Sequence, residues 1–181
     1  MISLFVAITA ASALSAVQAP TTAAAPAERT LARLPNTTIT YFDVSGKDGE
    51  AIQKALAKRQ KEGVAPSANW EIGAGVRKRT EGTTCTVVGA EAKFTGEVQL
   101  PKLATESTVA PEVLTQWKSY VAGLESAAAA KLWFVNDRLS LVEKAILASS
   151  CDGAAAAATA AIEKIKTEEA AFVQQNAAPA K

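Results

Sequence analysis

"NWEIGAGVRKRTEGTTCTVVGAEAKFTGEVQLP", Asn69 to Pro101, is the stretch whose reading decides the fold. In its first half, Trp70, Ile72, Ala74 and Val76 alternate with Glu71, Gly73, Gly75 and Arg77. Successive strand side chains point to opposite faces, so this period of two predicts a strand with one covered side. After "EGTT" (Glu81 to Thr84) the period returns. Val88, Ala90, Ala92, Phe94, Val98 and Leu100 fall on one side; Glu91, Lys93, Glu97 and Gln99 fall on the other. Two such runs joined by a short glycine-containing turn predict a long antiparallel hairpin, ended by Pro101.

Upstream, "TTITYFDVSG" (Thr37 to Gly46) is β-branched and aromatic and predicts a strand stopping at a Ser-Gly turn. "KDGEAIQKALAKRQKEG" carries Ile52, Ala55 and Leu56 at helical spacing and ends at Gly63, a short amphipathic helix. Downstream, a long helix opens at Pro111, a favoured first-turn residue, and is expected to run to about Ser149. Its stripe steps by three and four through Trp117, Val121, Leu124, Ala128, Leu132 and Val135, and on to Val142 and Ile146. Asp152 is placed to cap a last helix through about Gln175, with Ile162, Ile165 and Phe172 inward. The expected fold is α+β. A small antiparallel sheet, made of the N-terminal strand and the hairpin, is packed by one short and two long helices in the order β-α-β-β-α-α.

The 181 residues suit one domain, placed here at 37–175. Residues 1–19, "MISLFVAITAASALSAVQA", have the length and small-residue ending of a secretory signal peptide, with cleavage expected after Ala19. No lysine or arginine precedes the apolar run, and Pro20 follows the cut. The hydroxyl residues within the run argue against a permanent membrane span. Residues 20–36 form a Pro/Ala/Thr-rich leader, expected to be flexible, and 176–181 a disordered tail. Export predicts a periplasmic or secreted location, an oxidising place in which Cys85 and Cys151 have one possible intramolecular pairing. The chain-entropy model puts that cross-link at about 4 kcal/mol. Two unpaired buried thiols are the alternative.

Composition narrows function further. Nineteen basic residues against 18 acidic leave a net charge of +1, no basis for a nucleic-acid or anionic-membrane partner. There is no histidine, which excludes Ser-His-Asp and Cys-His catalysis and imidazole-held zinc. No motif asks for a cofactor. "GAG" (Gly73 to Gly75) lies inside an alternating strand and is expected to admit a close neighbour rather than a dinucleotide. "RKR" (Arg77 to Arg79) is expected to be an exposed strand end. Trp133 lies nearly opposite the centre of the helical stripe, and cover from the last helix is expected, since tryptophan is seldom left bare.

"YFDVSG", a tryptophan before the hairpin, a cysteine at its turn, "LP" at its end, "W-x-x-Y-x-x-x-L" (Trp117, Tyr120, Leu124) and a second cysteine occur in that order. Over about Thr37 to Phe172 this resembles the bacterial domain of unknown function 922, the predicted secreted Zn-dependent proteases. The resemblance implies an H-E-x-x-H motif directly after that helix turn, whose two histidines would hold zinc and whose glutamate would work on its bound water. Counting on from Leu124, those three positions are Ala127, Ala128 and Lys131. Methyl groups and an ammonium give a metal no lone pair.

The helical geometry places Lys131, Phe134 and Arg138 on a strip beside the core stripe. That strip is either a basic, partly apolar cleft for a peptide carboxylate or acidic side chain, or a solvated edge of snorkelling cations. Lys131 as a catalytic amine lacks a placed partner. The reading that follows is an exported, catalytically inactive relative that binds a peptide or envelope protein, with no catalytic residue assigned. An active peptidase with a non-histidine site and a ligand-free structural envelope protein are the alternatives.

Overall fold

The computed structural model describes residues 29–176, the side chain of Ser107 excepted. The expected signal peptide, most of the leader and all but the first residue of the expected tail lie outside the described residues. Strand β1 (Thr37–Val44), helix α1 (Gly49–Lys61), strands β2 (Ser67–Glu81) and β3 (Thr84–Leu103), and helices α2 (Pro111–Asn136), α3 (Leu139–Leu147) and α4 (Ala154–Asn176) follow in order. The α+β order is the expected one, with the long helix delivered in two pieces. Among the described residues no helix is long and apolar enough to cross a membrane.

Local chemistry sets the element ends. The carboxylate of Asp48 accepts from the Ala51 N–H at 2.8 Å and caps α1. Gly63, at φ 79°, ends it. Gly46 lets α1 approach the end of β1: a Cβ there would lie 2.6 Å from Ile52 N. Glu81 faces Thr84 across a two-residue turn in which Gly82 takes φ 61°. The hairpin is antiparallel as expected. The sheet as a whole is mixed, in the order β1-β3-β2, with β1 parallel to β3. β3 is the longer arm; its last residues run past the end of β2 and pair with β1.

A bulge between Arg77 and Lys78 corrects the alternation. Gly89 faces Arg77 and Val87 faces Lys78, so Val88 is the extra residue. Val87 packs against the core and Val88, expected inside, is 46% exposed. Gly73 was expected to admit a close neighbour, yet nothing lies within 4 Å of where its Cβ would stand.

Two apolar clusters result. The larger one joins Ile72, Phe94, Val98 and Leu100 of the sheet to Leu132, Val142 and Ile165 of the helices. The smaller one joins Phe42, Val44 and Leu103 to Ile52 of α1 and Trp117 of α2. Alternation along β1 turns Phe42 and Val44 away from the face that carries Ile39. β1 thus serves both clusters.

The long helix breaks at Asp137 and Arg138. In an unbroken helix the carbonyl of Phe134 would accept from the backbone N–H of Arg138. Here it accepts from the Arg138 guanidinium at 2.9 Å, while the Arg138 N–H donates to Val135 O. The bend carries α3 alongside β3, where Glu143 Oε1 accepts from Ala92 N at 3.1 Å. That contact occupies a stretch of β3 that β1 does not reach, a protected sheet edge. The Cys85–Cys151 disulfide (Cα–Cα 6.1 Å) ties the tip of the hairpin to the α3–α4 turn, and no cysteine is free. Gly153, rather than Asp152, precedes α4: its carbonyl accepts from Ala157 N.

The end of the expected flexible leader is packed. Leu31 and Leu34 are buried in the larger cluster. Asn36, at φ 49°, donates its side-chain amide to Phe94 O and accepts at its carbonyl from Gly96 N. This segment, rather than the expected last helix, makes the polar contacts to the partly covered Trp133. The indole N–H donates to Thr30 O at 3.2 Å, the Arg29 guanidinium lies 5.9 Å from the ring, and Arg29 pairs with Asp137 at 2.9 Å.

Candidate functional site

The three motif positions share one face of α2, because residues three and four apart neighbour each other on a helix. Ala127 is exposed, Ala128 is buried, and Lys131 is partly covered. With Leu124 they form one wall of a cavity of about 190 Å³. Pro66, Ser67 and Ala68 at the start of β2, Leu100 of β3 and Val173 of α4 complete it. Its walls are mostly apolar.

Lys131 does not stand free in this cavity. Its ammonium lies 3.5 Å from Glu169 Oε1 of α4, with the side chains 29% and 12% exposed. One turn further on, Phe134 stacks on Phe172 with centroids 4.6 Å apart. Arg138 lies 3.3 Å from the Phe134 ring centroid and bonds Glu168 Oε2 at 3.2 Å. Each member of the strip Lys131, Phe134 and Arg138 is thus matched by a residue of α4. The strip packs along α4, where Glu169 and Glu168 pair with the two cations, which remain partly exposed.

The residues do not fit a zinc ion. Ala127 and Ala128 offer no donor atom, Lys131 presents a cation, and the chain has no histidine. Among the described residues, no group of three His, Cys, Asp or Glu side chains is placed to hold a metal. Glu169 brings a carboxylate to the site, where an ammonium occupies its charge. A carboxylate facing an ammonium is a satisfied pair, while either alone in so covered a place is costly.

A model of the family described as bacterial protein of unknown function (DUF922) matches residues 39–177. The chain belongs to this family. The match runs from within β1 to just past α4, so the DUF922 unit includes the smaller apolar cluster, most of the larger one and the disulfide. It leaves out the packed segment that carries Leu31 and Leu34. No curated protein and no solved structure matches the chain.

Sequence reasoning missed Glu169. The adjacent acids Glu168 and Glu169 were a signal in "KTEEAAF", but their partners lie about one helix away in space and 30 or more residues away in sequence. It also missed a groove of about 250 Å³ between α1 and α2, lined by Ile52, Leu56, Val113, Trp117 and Tyr120. Tyr120 is 43% exposed, and its partial burial there pushes the phenol above its usual pKa by desolvation.

Proposed function

We propose that this DUF922 member is an exported, non-catalytic module that binds an extended peptide or partner protein in the periplasm or cell envelope. The observation that carries the reading is the Lys131–Glu169 pair beside Ala127 and Ala128: a partly covered, ion-paired ammonium stands where the family resemblance implies a metal. Such a pair neither activates water nor polarises a carbonyl as a metal does. The disulfide supports an oxidising compartment.

The cavity suggests what is bound. Its apolar walls suit an aliphatic side chain better than an acidic one, since Lys131 is already neutralised. Ala68, in the cavity wall, lies next to the first residue of β2, and a peptide recognised there would place one side chain in the pocket.

The test has two arms. After incubation with zinc and desalting, elemental analysis should find far less than one zinc per chain, with no cleavage of casein. N-acetyl tripeptide amides with a central leucine should bind better than those with a central aspartate, and Ala127→Trp, which fills the cavity, should abolish the difference. One tightly held zinc per chain with casein cleavage would overturn the non-catalytic reading. Indifference to the peptides would leave the structural-protein reading in its place.

A further inference from the structure

We propose that the outer edge of β2 is a self-association surface, on which a second copy of the chain pairs antiparallel about Ala74 to make one continuous six-stranded sheet. The direction of the backbone groups follows from β3. Ala92 N donates to Glu143, and Gly96 N donates to Asn36 O, both on the side away from β2. Their facing residues on β2 are Ala74 and Trp70. In an antiparallel pair, facing residues direct their N–H and C=O groups either at each other or both apart. Trp70, Ile72, Ala74 and Val76 therefore turn theirs to the outer edge. Among the described residues no strand, side chain or loop takes up those groups.

The two edges of the hairpin are treated differently. From Ala92 onward the outer side of β3 is met by Glu143 of α3, by Asn36 and by β1. Among the described residues β2 has no such cover. An uncovered run of strand backbone is a template for another strand.

Charge selects the occupant and the register. Pairing two copies about Ala74 sets Ile72 against Val76 and Gly73 against Gly75. It also sets Glu71 against Arg77 twice, once on each side of the two-fold axis. Glu71 and Arg77 are exposed on the face of the sheet opposite Ile72. Moving the axis to Ile72 leaves Glu71 facing Gly73, and moving it to Val76 sets Glu71 against Glu81. The Ala74 register lies wholly before the bulge at Arg77/Lys78 and matches outward donors to outward acceptors. A two-fold pairing of this kind closes on itself and stops at two copies.

The test is the solution mass of the purified oxidised chain by sedimentation equilibrium across a wide concentration range. A concentration-dependent dimer is expected. Glu71→Arg should weaken it by about tenfold or more by opposing like charges. The double variant Glu71→Arg with Arg77→Glu should restore it. Ala74→Pro removes an outward N–H without breaking a bond to β3 and should give monomer, with an unchanged circular dichroism spectrum showing that the fold survives. A monomer at every concentration, a dimer indifferent to both Glu71→Arg and Ala74→Pro, or a double variant that fails to re-pair would each overturn the proposal.

Discussion

The two halves of α2 are built to opposite ends. In the N-terminal half, Trp117 and Val113 meet Ile52, Phe42 and Leu103, and Tyr120 stands beside Trp117 with ring centroids 5.7 Å apart. This half keeps the aromatic pattern of the family resemblance and uses it for packing. In the C-terminal half, the positions to which the family resemblance would give chemistry hold two alanines and a lysine, and α4 lies against the neighbouring strip with Glu169, Phe172 and Glu168. The comparison teaches that one helix can give one half to packing against α1 and the sheet and the other half to ion pairs and a ring stack with α4.

The sharpest way to break the comparison is to rebuild the reactive half. In the triple variant Ala127→His, Ala128→Glu, Lys131→His, two imidazoles one turn apart would face the freed Glu169 carboxylate, a His₂Glu donor set. Zinc content should rise from near none to about one per chain and fall again when Glu169→Ala is added; elemental analysis decides it. Trp117→Ala, in the packing half, should cost about 3–5 kcal/mol in chemical denaturation. Removing the disulfide through Cys85→Ser with Cys151→Ser should cost about 2–4 kcal/mol in the same assay, since the hairpin tip loses its tie to the α3–α4 turn.

Smaller effects sharpen it. Glu169→Ala leaves the Lys131 ammonium partly buried without its partner and should cost about 1–2 kcal/mol, whereas Lys131→Met with Glu169→Met should cost less than that single change. A loss that is larger in the double variant would mean the pair does more than neutralise itself. The smallest effect concerns Tyr120. Its pKa is raised in the fold, so its contribution is intact below the unfolded value of 10.0 and is lost as pH rises through the folded value. Stability should therefore fall above about pH 10 more steeply in the native chain than in Tyr120→Phe.

Much of this was legible beforehand, for a local reason. Alternation at Trp70–Val76 reports a strand because the period belongs to the backbone, and the glycine in "EGTT" reports a turn because its φ is positive. The Val87–Val88 pair was misassigned because two adjacent valines fit either face, and only the pairing with β2 shows which is the extra residue. The bend at Arg138 was invisible because it depends on a guanidinium reaching the Phe134 carbonyl while bonding Glu168 on another helix. Lys131, Phe134 and Arg138 all meet residues of α4. Whether that strip opened to solvent was a question about α4, not about α2.

By itself, then, the sequence determined the order and kind of the elements, the one available cysteine pairing, and the absence of any imidazole chemistry. Those are properties of spacing and composition. Tertiary structure alone decided that β3 is central, that β1 runs parallel to it, that residues 29–36 are packed rather than loose, and that Lys131 answers Glu169. Each of these is a contact between residues far apart in the chain, and such contacts are set by which surfaces bury together, not by any local period.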